Sequence, residues 1–134
     1  MYVYNFYTSS PSGSGAGQNY FHKEKFNKKT LEQHMKDAIE FVVSEAHSIT
    51  ECCCMNDVFR DEYFIEYLKS IGYTPFCFQA CIGMEDTSTL VYDKDNYNFE
   101  ARPEILEFLK RMDAKIRSER KEIKEDGWSR WEKI

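Results

Sequence analysis

The opening of this chain constrains its fold more than any other feature: two aromatic, β-forming segments flank a serine- and glycine-rich stretch. Tyr2–Tyr7 (YVYNFY) is dense in residues that suit a pleated, half-buried surface. Tyr20–Phe26 (YFHKEKF) alternates well enough to be its hairpin partner. Residues 9–17 (SSPSGSGAG) between them are too many for a two-residue turn, so a loop is expected there, mobile or ordered by a ligand. A sheet that starts this way has an aromatic face, and that face needs a covering layer.

Helices are expected to supply the cover. Thr30-Leu31-Glu32-Gln33 matches a capping box, in which the Thr hydroxyl and Gln33 satisfy orphan amides. Leu31, Met35, Ala38, Ile39, Val42 and Ala46 then fall on one helical face. Ser48–Asn56 reads as a strand. Asp61 caps a short helix through Phe64, Ile65, Leu68 and Ile71, with Gly72 as its left-handed stop, although Phe64, Glu66 and Leu68 also alternate as a strand would. Phe76–Ile82 reads as a buried strand with Pro75 at its edge, and Thr89–Asp93 as its antiparallel return. Pro103 suits the first turn of a last helix. The seam Ile105, Leu109, Met112, Ile116, Ile123 carries that helix over 102–126, with Gly127 ending it and 127–134 as a tail.

The order is therefore β-β-α-β-α-β-β-α: an α+β fold, a mostly antiparallel sheet with helices packed on it and a long C-terminal helix. With 134 residues and neither repeats nor a linker, residues 1–134 are expected to form a single domain. The distal half of the last helix, with Trp128, Trp131 and Ile134, exceeds what one small sheet buries. It is expected to meet a partner, most simply another copy of the chain in a homo-oligomer.

Charge narrows the partner classes. Residues 51–100 carry three basic groups against ten acids, net −7, whereas 101–134 carry ten against eight, net +2. An acidic middle disfavours nucleic acid, because phosphate neutralisation needs clustered Lys and Arg. No apolar run approaches a membrane span, so no membrane partner is expected. Met1–Phe6 lacks the basic and apolar regions of a signal peptide. Five cysteines, three of them the consecutive Cys52, Cys53 and Cys54, fit reduced thiols in a cytoplasmic protein better than a disulfide framework.

No catalytic or metal-binding motif is intact, and no cofactor is implied. Gly13, Gly15 and Gly17 could let a backbone approach phosphates, with Lys23 supplying charge. They precede a strand rather than a helix and lack both P-loop and dinucleotide spacing. Tyr97, Asn98 and Arg102 group aromatic, amide and guanidinium chemistry that suits a nucleobase or nucleotide. Asp57, Asp61, Glu62 and Glu66 form an acidic cluster that reads as a solvated or partner-facing patch rather than a metal or hydrolytic site. Cys52 and Cys54, like Cys77 and Cys81, share a strand face, but zinc sites favour short knuckles at turns, so buried apolar thiols are the expectation. His34 and His47 read as structural. A Cys- or carboxylate-dependent enzyme is the third reading, behind ligand binding and protein–protein inhibition through the acidic 51–100 region.

Strand Tyr2–Tyr7, loop Ser9–Gly17, strand Tyr20–Phe26, the Thr30 helix and the long final helix together resemble in outline the anti-Thoeris sponge proteins of phages. That resemblance implies an N-terminal sheet between helices, a homo-oligomer, and sequestration of a cyclic ADP-ribose-type signal without hydrolysis. It implies a phage or mobile-element anti-defence role, and it assigns no individual ligand-contacting residues.

Overall fold

In a computed structural model, the described residues are 1–9, 15–45, 55–76, 87–93 and 103–134. Strands β1 (Tyr2–Ser9) and β2 (Gly15–His22) pair antiparallel in continuous register from Tyr2↔His22 to Ser9↔Gly15. β3 (Thr74–Phe76) adds antiparallel to β2, and β4 (Thr87–Asp93) adds to the other side of β1. The sheet order is β3-β2-β1-β4. Pro75 lies on an edge strand, where its missing N–H disrupts least.

Three sequence expectations change here. The second strand begins at Gly15 and ends at His22 rather than running from Tyr20 to Phe26, because the chain must turn at residues 23–27 to enter the next helix. β4 runs parallel to β1, with Val3↔Thr87 through Ser9↔Asp93, instead of returning antiparallel to its neighbour in sequence. Met55 and Asn56, placed at the end of a strand from sequence, open a helix instead; residues 48–54 of that strand, and 77–82 of the Phe76–Ile82 strand, lie outside the described residues.

Helix α1 (Lys28–Ser44) buries Leu31, Met35, Ala38, Ile39 and Val42 of the face read from the sequence, together with Glu32 and Val43; Ala46 of that face lies outside the described residues. Its cap is Asn27, whose side chain accepts from the Thr30 amide at 2.8 Å. Asn outranks Thr as an N-cap, so the helix starts one turn earlier than expected. Gln33 is thereby freed to donate to Asp37 at 2.8 Å. Helix α2 (Met55–Arg60) leads into α3 (Glu62–Ser70), which Asp61 caps by accepting from the Tyr63 amide at 2.9 Å. α3 buries Phe64 and Leu68, so helix rather than strand is the correct reading. It closes in a Schellman arrangement: Tyr73 N–H donates to the Leu68 carbonyl, Gly72 N–H to that of Lys69. Gly72 takes φ +100°, which a side chain would strain, and a Cβ there would lie 2.8 Å from His22 Nε2.

The last helix, α4 (Pro103–Ser118), begins at Pro103 as expected and buries Leu109, Met112 and Ile116. It does not reach Glu125. Arg120–Glu125 is strand β5 and Trp128–Lys133 is strand β6, a separate antiparallel hairpin. Asp126 and Gly127, at φ 47° and 83°, form the two-residue turn whose positive φ values match the twist of a hairpin. The Asp-Gly turn outweighs the seven-residue step from Ile116 to Ile123 that extended the helical seam.

One buried cluster joins these layers, from Tyr4, Phe6 and Tyr20 of the sheet, through Leu31–Val43 of α1 and Phe59, Phe64 and Leu68 of α2 and α3, to Leu109 and Ile116 of α4. At its centre Tyr73 meets six rings, those of Tyr4, Phe6, Tyr20, His22, Phe26 and His34, with centroids 4.7–6.0 Å away. Most of these pairs meet edge to face, the geometry that adds attraction beyond burial.

Candidate binding surfaces

The titratable groups nearest to a reactive arrangement are in this aromatic box, and their hydrogen bonds are already used. His22 is buried, accepts the Glu24 amide at Nδ1 (3.0 Å) and sets Nε2 3.0 Å from the Ile71 carbonyl. Both ring nitrogens are thereby engaged with backbone groups. His34 Nδ1 lies 2.7 Å from the Tyr73 hydroxyl. Burial raises the Tyr73 hydroxyl far above the ordinary tyrosine range, with Tyr4 adding to the effect, so Tyr73 stays protonated. Tyr4 donates to the Glu24 carbonyl and accepts from the Phe26 amide, both at 2.9 Å. These groups fasten the β2–α1 corner to the sheet.

Half-buried His34 carries a pH signature. Burial lowers its proton affinity below the usual 6.5, His22 acts in the same direction, and Asp37 and Glu24 oppose both. The unfolded chain therefore binds this proton at a higher pH than the folded one. Stability from this group is complete above the unfolded value and is lost as pH falls through it. The midpoint of thermal unfolding is expected to fall on acidification from about pH 8 to about pH 5, and His34→Gln to flatten that dependence. An unchanged slope in the variant would contradict this role for His34.

The glycines divide. Gly15 and Gly17 belong to the ladder, opposite Ser9 and Tyr7, so residues 9 and 15–17 of the expected loop are strand, and 10–14 lie outside the described residues. A Cβ on Gly17 would meet the Phe6 carbonyl oxygen at 2.8 Å and the Tyr7 ring at 2.9 Å, so this glycine serves cross-strand packing. Gly13 lies outside the described residues, as do Tyr97, Asn98, Arg102, His47 and all five cysteines. Exposed Lys23 follows His22, which pairs with Tyr2 at the far end of the ladder from Gly15. Across an eight-residue strand the two ends are about 23 Å apart, so Lys23 does not join the glycine end.

Parallel pairing has a consequence for that end. Ser9 is level with Gly15 on one side and with Asp93 on the other. The chain thus leaves β1 toward Gly13, and leaves β4 toward Tyr97, Asn98 and Arg102, from adjacent ladder positions.

The acidic cluster is largely occupied by local contacts. Asp61 is buried as the α3 cap, which removes it from any partner-facing patch. Asp57 lies 3.8 Å from Arg60, and Glu66 3.4 Å from Lys69. Glu62 is exposed in the first turn of α3, where a negative charge suits the helix dipole. Among the described residues, no group of three His, Cys, Asp or Glu side chains is arranged to hold a metal ion, and no helix is long and apolar enough to cross a membrane.

The largest exposed apolar groups include the hairpin residue Trp128, 80% exposed, and Ile134, 76% exposed. Trp131 is half-buried, with the Arg120 guanidinium 4.0 Å above its ring. Cross-strand polar contacts hold the hairpin: Ser129 donates to Glu122 at 2.6 Å, Lys121 lies 3.9 Å from Glu132, and Arg130 contacts both Glu125 and Glu132. Exposed Trp128 and half-buried Trp131 are thus carried by strand β6 instead of by a tail after a long helix.

Comparison with protein-family models, with curated proteins and with solved structures finds no match to this chain.

Proposed function

We propose that this protein is a non-enzymatic binding protein that sequesters a nucleotide-derived ligand at the Ser9–Gly15–Asp93 end of its sheet. The observation that carries this reading is the ladder itself, in which Ser9 is level with Gly15 and with Asp93. Ser9 and Asp93, the described residues that precede the two candidate segments in the sequence, are thus level on adjacent strands. Backbone amides near Gly13 and Gly15 would receive phosphate, Tyr97 would stack on the base, and Asn98 and Arg102 would supply hydrogen bonds and charge. A non-enzymatic reading fits the engagement of both His22 ring nitrogens by backbone groups and of His34 Nδ1 by the Tyr73 hydroxyl. The ligand class is the cyclic ADP-ribose-type signal implied by the anti-Thoeris resemblance, and the biological role is anti-defence in the cytoplasm.

Thermal unfolding with and without cyclic and linear ADP-ribose-type nucleotides tests this. At a hundred times its dissociation constant a ligand adds about 2.7 kcal/mol. The gain should vanish in Arg102→Ala and survive in Lys23→Ala. No shift with any nucleotide overturns the reading and favours a host-protein partner. Release of a chemically altered nucleotide overturns the non-enzymatic part.

A further inference from the structure

We propose that β5 is a dimerisation edge: two copies of this chain join antiparallel along Lys121–Glu125, centred on Ile123, to make a four-stranded sheet from two hairpins. An isolated two-stranded hairpin is marginal in water, and this one forms its own sheet, separate from the main one. Among the described residues β5 pairs only with β6, so no described strand lies beside its outer row of amides and carbonyls. Such a row is a template for another strand.

The phase of the ladder decides which groups point outward. A two-residue turn makes its flanking residues, Glu125 and Trp128, a hydrogen-bonded pair, and bonded pairs alternate along an antiparallel ladder. The backbone groups of Glu125, Ile123 and Lys121 therefore face β6. The Ile134 amide donating to the Glu119 carbonyl at 3.1 Å, at the base of the hairpin, is in the same phase. The groups of Glu122 and Lys124 face outward.

Only registers that set outward groups against outward groups can close such an edge. With Ile123 opposite Ile123, Glu122 of one copy exchanges backbone bonds with Lys124 of the other, and Lys121 lies opposite Glu125. Every charged pair in the strand is then of opposite sign and occurs twice by symmetry. Sliding by one step of the ladder toward Arg120 sets Glu122 against Glu122 and Arg120 against Lys124. Sliding the other way sets Lys124 against Lys124. Like charges directly opposite are destabilising, so the alternation Lys121, Glu122, Lys124, Glu125 admits one self-complementary register and penalises its neighbours. Charged edges ordinarily discourage pairing; here the signs are arranged to select one partner, an identical strand. Ile123, half-buried in one copy, would gain a contact with its equivalent, since non-bonded pairs bring side chains closest.

Sedimentation equilibrium of the full chain tests this, with circular dichroism confirming that each variant stays folded. The wild type should be a dimer that weakens with added salt. Lys124→Glu sets acid against acid and should yield monomer. Adding Glu122→Lys to that variant restores opposite signs and should restore the dimer. A monomeric wild type, a dimer indifferent to Lys124→Glu, or a double variant that stays monomeric would each overturn the proposal.

Discussion

Replacing Tyr73 with alanine is expected to destabilise the protein by about 3–5 kcal/mol, the range for deleting a fully buried aromatic ring. Tyr73 is 2% exposed and touches rings from both central strands, the β2–α1 corner and α1, so no single element can collapse into the space it leaves. Against the roughly 5–15 kcal/mol typical of a folded domain, this loss brings the native state close to unfolding. Tyr73→Phe separates packing from polarity. It keeps the ring and gives up the hydroxyl that lies 2.7 Å from His34, a bond worth about 0.5–1.5 kcal/mol. Urea unfolding should show both midpoints lowered with the slope unchanged, the alanine variant by several-fold more. Equal losses in the two variants would mean that the hydroxyl, not the packed ring, carries the effect.

Leu109→Ala should cost about 2–5 kcal/mol. Leu109 is fully buried in the core cluster, while Glu107, Lys110, Arg111 and Lys115 on the same helix are exposed. Its side chain, with Phe108, Met112 and Ile116, holds α4 to the core, and the hairpin follows from that helix. Ile123→Ala supplies the contrast. In a continuous helix Ile123 would extend the same seam and its loss would rival that of Leu109. In β5 it is half-buried and should cost much less at concentrations where the chain is monomeric. Comparable urea midpoints for the two variants would contradict the strand.

The two substitutions mark where the sequence is readable and where it is not. The buried face of α1 and the Asp61–Gly72 frame of α3 follow from local spacing and cap chemistry, because a helix closes its hydrogen bonds within itself. The Leu109–Met112–Ile116 seam is equally local. Ile123 continued that seam by period, and the period masked Asp126-Gly127, whose positive φ values at both positions define a hairpin turn. An Asp-Gly pair between segments of alternating charge was the available signal.

Long-range pairing left no comparable trace. Thr87–Asp93 reads as a strand by composition, but its partner β1 lies at the other end of the sequence, and spacing favours the neighbour in sequence over the parallel crossover. His34 was legible as structural, whereas its bond to Tyr73 joins residues 39 apart in the sequence, which no local pattern reveals. The acidic cluster misled through Asp61: the same residue that caps α3 was also counted in a partner-facing patch, and burial resolves it as the cap.

The parallel seating of β4 beside β1 underlies the proposed binding surface, and backbone NMR tests it most directly. Cross-strand NOEs should connect Asn5 with Thr89, Tyr7 with Val91 and Ser9 with Asp93, advancing in the same chain direction on both strands. NOEs that advance in opposite directions, or that connect β4 to a strand other than β1, would separate Asp93 from Ser9 and remove the basis for a shared ligand site.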